Sequence, residues 1–167
     1  HQCGLDRALS LMVPGDMLIY TDCDEIPQAK AVREFAASAL TSATLEMPLF
    51  YYYVNCRATR PWRMAKILRW DGRPLTHREI RRRFHERLSD GGWHFSYLGD
   101  IKTKLDAFAH TEYAQPPWNT PGHIAARVAA REDLFARSYR FETLHDLRYL
   151  PQHMKDHMDR YARYVCA

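Results

Sequence analysis

Asp22 and Asp24 stand one residue apart in the stretch Tyr20-Thr21-Asp22-Cys23-Asp24-Glu25-Ile26-Pro27. Two carboxylates at that spacing can both reach one divalent cation if the backbone turns there. Hard oxygen ligands of this kind suit Mg2+ or Mn2+. A cation so held would neutralise the phosphates of a sugar-nucleotide donor. The apolar run Met17 to Tyr20 precedes the acids and reads as a buried strand. A strand ending in carboxylates delivers them to the edge of a sheet, where open α/β folds bind their ligands. An Asp-x-Asp pair alone is a weak motif; the strand before it and the Glu-Ile-Pro after it strengthen it. Cys23 is not a candidate nucleophile, because flanking carboxylates disfavour its thiolate.

Three other stretches carry residues able to do chemistry. In Asp90 to Asp100, Gly91 and Gly92 allow close backbone approach, and Trp93 and Tyr97 offer an apolar wall for a sugar ring. His94 and Asp100 are acid–base candidates there, although the stretch also reads as a hairpin of packed aromatics. In Ala109-His110-Thr111-Glu112-Tyr113, the His110 imidazole could complete the metal shell and Glu112 could act as a general base. Glu25 is a further candidate base. Lys102 and Lys104 could face phosphate or simply be solvated. The run Arg78 to His85 reads as a solvated basic helix face, with no signature of a nucleic-acid reader.

These residues need a scaffold, and 167 residues with 46% hydrophobic and 26% charged content supply one soluble globular domain, 1–167. The net charge of +4 is uneven: Arg57 to Arg87 holds eleven Lys or Arg against three acids. A basic segment beside an acidic metal site fits an anionic substrate such as a nucleotide diphosphate. The four cysteines form no C-x-x-C pair, which argues against structural zinc and for free thiols in a reducing, cytoplasmic setting. There is no signal peptide and no apolar run long enough to span a bilayer.

Periodicity predicts helices over Gln2 to Met12, Ala29 to Leu40, Pro74 to Phe84, from Ile101 to about His110, over His123 to Phe135 and from Pro151 onward. Strands are expected at Met17 to Tyr20, Leu45 to Val54, Met64 to Trp70 and Trp93 to Leu98. Thr76-His77-Arg78-Glu79 matches a capping box. Alternating strands and helices argue for α/β with a mostly parallel sheet.

Asp22-Cys23-Asp24-Glu25-Ile26-Pro27, Phe50-Tyr51-Tyr52-Tyr53-Val54-Asn55, Gly92-Trp93-His94-Phe95-Ser96, Lys104-Leu105 and Ala109-His110-Thr111-Glu112 follow one another in that order. The set resembles glycosyltransferase family 17, which includes β-1,4-mannosyl-glycoprotein 4-β-N-acetylglucosaminyltransferase. The resemblance implies a GT-A-like, Rossmann-like fold and a metal-dependent, inverting transfer of GlcNAc from UDP-GlcNAc to a glycan or other hydroxyl acceptor. By resemblance Asp22 and Asp24 match the metal and diphosphate motif, and His110 sits where such enzymes often supply a later metal ligand. Family members carry a segment ahead of the position of His1, so the expectation is a domain lacking its first, nucleoside-holding strands. An excised domain of a membrane-anchored relative would belong to the Golgi lumen. The residues alone also allow a metal-dependent phosphohydrolase or nucleotidyltransferase, or a glycan-binding or nucleic-acid-binding module.

Overall fold

The computed structural model describes residues 2–82, 86–107 and 111–167. The elements run, in chain order, α1 (Gln2–Leu9), β1 (Met17–Tyr20), β2 (Glu25–Pro27), α2 (Ala29–Ala37), β3 (Ser42–Leu45), β4 (Leu49–Tyr51), β5 (Cys56–Ala58) and β6 (Lys66–Arg69). There follow α3 (His77–Arg82), β7 (Arg87–Leu88), β8 (Gly92–Ser96), α4 (Ile101–Asp106), α5 (Pro121–Ala130), β9 (Phe141–Thr143), α6 (Gln152–Asp156) and α7 (Met158–Tyr161). The chain forms two compact units, His1–Pro48 with Pro61–His94, and Leu49–Arg60 with Phe95–Ala167. Among the described residues no helix is long and apolar enough to cross a membrane.

The first unit is a helix–sheet–helix sandwich. Its four-stranded sheet has the order β1-β6-β3-β7. Successive strand residues face opposite sides, and β6 shows the consequence. Ile67 lies in a core with Ala43, Leu45, Met47 and the α2 residues Ala31 and Phe35, whereas Leu68 joins Leu5 and Leu9 of α1, Leu75, and Ile80 of α3. Both faces are therefore covered by helices, which makes the unit α/β. β2 pairs antiparallel with the start of β8, Glu25 opposite His94 and Ile26 opposite Trp93.

The mostly parallel sheet expected from the alternation of strands and helices is not what forms. β6 pairs antiparallel with both β1 and β3, while β3 pairs parallel with β7. The physical reason is strand insertion. α2 leads from β1 and β2 to β3, but β6 arrives later in the chain and takes the place between β1 and β3. The helix thus joins strands that do not pair with each other. β1 also proves to be an edge strand rather than a buried one, with Met17 and Ile19 40% and 39% exposed.

The long strand expected over Leu45 to Val54 is broken. Pro48 has no N–H to donate to a ladder, and Tyr52 takes a left-handed φ of 65° just after β4. In the second unit, β4 pairs antiparallel with β5 and β5 with β9, and the Tyr52 N–H donates to the Ser96 carbonyl at the end of β8. Tyr51 is its hub: its ring meets Tyr52, Tyr97 and Phe141 at centroid distances of 4.6, 4.9 and 5.0 Å. Buried Asn55 ties the chain end down, donating to the carbonyls of Leu144 and Cys166 and accepting from the Cys166 N–H.

Candidate active site

The acidic stretch forms a closed turn. The Glu25 N–H donates to the Asp22 carbonyl at 3.1 Å, an i to i+3 bond, and the Asp22 N–H donates to Glu25 Oε2 at 2.9 Å. Glu25 is 4% exposed, and its other oxygen accepts from the indole N–H of Trp62. Burial pushes the Glu25 carboxyl above its ordinary value, against the bonds from Trp62 and the Asp22 N–H. Both of its oxygens thus serve the turn itself. Glu25, offered as a base by sequence reasoning, accepts hydrogen bonds at both oxygens here.

Asp22 and Asp24 are left half-buried at the rim of that turn. Nη2 of Arg81 donates to both carboxylate oxygens of Asp22, at 2.8 and 3.0 Å. Nε2 of His94 lies 3.4 Å from Asp24 Oδ1. His94 is 5% exposed and packs on Trp62 with ring centroids 4.5 Å apart, while its Nδ1 has no hydrogen-bond partner among the described residues. Strand alternation turns Trp93, next to His94 on β8, to the opposite side. There it stands across from Ile26, which is 44% exposed. The pair presents an apolar surface of the kind that sugar rings cover.

Behind the turn lies a basic group. Lys66 is 4% exposed and sits opposite both Tyr20 and Thr44 in the register of β6. Its Nζ donates to Thr44 Oγ1 at 2.8 Å and to the Arg63 carbonyl at 2.7 Å. Desolvation pulls its pKa below the ordinary lysine value, with the charge of Glu25 opposing. α3 supplies the rest. Its capping box forms as the sequence indicates: the Thr76 N–H donates to Glu79 Oε2 at 2.8 Å and the Glu79 N–H to Thr76 Oγ1 at 3.2 Å. His77 and Arg81, four residues apart, share one helix face. His77 Nδ1 is hydrogen-bonded to Tyr20 Oη, and the Arg81 guanidinium lies 5.6 Å from the Tyr20 ring centroid.

Tyr20, Trp62, Lys66, His77 and Arg81 were not singled out from the sequence. A usable signal existed for two of them. His77 and Arg81 fall on the same face as buried Ile80's neighbouring turn, so one edge of the basic run had to point inward rather than into solvent. The full solvation expected for this run fails at Arg81. Its last residues, Arg83, Phe84 and His85, lie outside the described residues, as does the sequence-derived metal ligand His110.

The remaining sequence-derived residues belong to the second unit. Tyr97 is 5% exposed within the Tyr51 cluster, and Nζ of Lys104 lies 4.5 Å above its ring. Asp100 caps α4: its carboxylate accepts from the Thr103 N–H at 3.0 Å and the Thr103 hydroxyl at 2.7 Å, which hold it below the usual carboxylate range. Glu112 is exposed in a short 3-10 turn. A shallow cleft of about 550 Å3 lies beside Asp100, between Tyr53, Lys102 and the Ile124, Ala125 and Val128 face of α5.

Among the described residues, no three His, Cys, Asp or Glu side chains converge on a common point as a metal cage would require. Two carboxylates from one turn are still a chemically suitable donor set for Mg2+ or Mn2+. These ions commonly take one or two protein carboxylates and complete their shell with water and substrate phosphate. In this structure the Arg81 guanidinium supplies the positive charge at Asp22.

Neither the curated proteins nor the solved structures yield a match to this chain. The model of glycosyltransferase family 17 matches residues 5–160, most of the chain, and the chain therefore belongs to that family.

Proposed function

We propose that the protein transfers a sugar, GlcNAc by preference, from a UDP-sugar to a hydroxyl of a glycan or similar acceptor, with inversion, in a GT-A-like site that uses Mg2+ or Mn2+. Family membership supports the transferase class. The observation that carries the site is the closed Asp22–Glu25 turn, which presents two carboxylates beside a guanidinium. Asp22 and Asp24 hold the cation in this reading. The cation supplies Lewis-acid stabilisation of the leaving diphosphate.

The chain's own residues do the rest. Glu25, gripped by Trp62, fixes the turn that carries both aspartates. His94 orients Asp24 from behind, as outer-shell imidazoles and carboxylates commonly orient metal ligands. Trp93 with Ile26 gives the donor sugar an apolar face to rest on. Lys66 and Arg81 add the positive field that draws in a diphosphate.

The test is transfer from UDP-GlcNAc with Mn2+, comparing wild type with Asp24→Ala. Turnover reduced by ~10²-fold or more in the variant supports the reading. Equal turnover removes Asp24 from the mechanism, and release of free phosphate without glycosyl transfer points to a phosphohydrolase instead.

A further inference from the structure

The geometry points to an exchange at Arg81. We propose that this guanidinium holds Asp22 while the donor is absent and moves to the donor's diphosphate when a divalent cation takes Asp22. The proposal rests on the metal and nucleotide reading above. Its basis is that Arg81 spans both oxygens of Asp22, the same atoms a cation must use. A divalent cation that takes these two oxygens competes with the guanidinium for them, and the two positive charges repel at such range. Loading the cation therefore releases Arg81.

The released side chain stays at the site. α3 is fixed by its capping box and by buried Ile80, and the guanidinium rests over the Tyr20 ring, itself pinned to His77. A short swing from Asp22 is the motion left to it. The phosphates on Asp22's cation are the nearest new acceptors, and a planar fork of N–H donors matches their oxygens. The Arg81–Asp22 pair is only partly exposed, at 30% and 45% of each side chain, so solvent does not screen it fully. Such an exchange would keep Asp22 paired in the empty turn, oppose metal binding without donor, and favour cation and diphosphate arriving together.

The experiment measures Mn2+ alone by loss of the free-ion electron paramagnetic resonance signal, and UDP at saturating Mn2+ by calorimetry. Wild type, Arg81→Met, Arg81→Lys and Asp22→Asn are compared. The expected result for Arg81→Met is Mn2+ bound roughly tenfold tighter than wild type and UDP bound roughly tenfold weaker. Arg81→Lys keeps the charge but not the fork, and is expected to shift both in the same directions by roughly threefold; it carries the test if Arg81→Met does not fold. Unchanged or weaker Mn2+ binding in the Arg81 variants, with binding lost in Asp22→Asn, overturns the exchange and leaves the metal reading intact. Absence of Mn2+ binding in every protein, with and without UDP, overturns both.

Discussion

At the scale of single residues, Glu25 and Asp22 show how one carboxylate can be spent on structure so that another is available for chemistry. Glu25 accepts from the Asp22 N–H and from Trp62. Glu25→Gln replaces one of those acceptor oxygens by an NH2 that faces a donor. The expected cost is about 1–3 kcal/mol of stability, read by urea denaturation, with UDP affinity lowered because the turn loosens. The base that takes the acceptor's proton remains a proposal. Glu112, Asp100 and Glu25 are the proposed candidates, and the carboxylates of Asp100 and Glu25 already accept from the protein's own donors. Glu112→Gln should lower kcat by ~10²–10⁴-fold with little change in donor binding; kcat within a few-fold of wild type would exclude it.

At the scale of elements, the β2–β8 pairing places the turn, and one glycine permits it. Gly92 has φ 145° and packs against the Ile26 carbonyl so closely that a Cβ would collide with it. Gly92→Ala should destabilise the protein by about 2–4 kcal/mol, measured by thermal melting, and should lower donor binding through β2. α4 offers a pH test. Asp100 is held below the ordinary carboxylate range by its bonds to Thr103. Its folded pKa lies under its unfolded one, so its stabilisation is present above the ordinary carboxylate range and is lost as pH falls through the depressed value. Asp100→Ala should therefore melt lower than wild type at neutral pH, with the gap closing in acid. A gap that does not change with pH would refute this account of the cap.

At the scale of the whole molecule, the chain builds each compact unit from two separate stretches. The second unit needs β4 and β5 from Leu49–Arg60 to complete the ladder that β9 joins. A fragment of residues 95–167 lacks both strands and also lacks Tyr51 and Asn55, the hub and the anchor of that unit. It should show no cooperative thermal transition by circular dichroism. A cooperative melt of that fragment would mean that the interleaved strands are dispensable.

The sequence by itself determined what depends on neighbours along the chain. The strand Met17–Tyr20, the capping box of α3, the acidic turn and the set of motifs that marks family 17 were all legible, because periodicity, side-chain capping and residue spacing are local properties. The tertiary structure decided everything that depends on what arrives from afar. β6 enters between β1 and β3 and makes antiparallel pairs where alternation suggested parallel ones. Arg81 meets Asp22 across 59 residues, and Trp62 meets Glu25 across 37. The apolar Ile80 marks an inward edge of the basic run, but no local pattern tells whether an arginine at that edge faces water or meets a carboxylate. Only the packing of Ile80, which sets how α3 is turned toward β1, makes that choice.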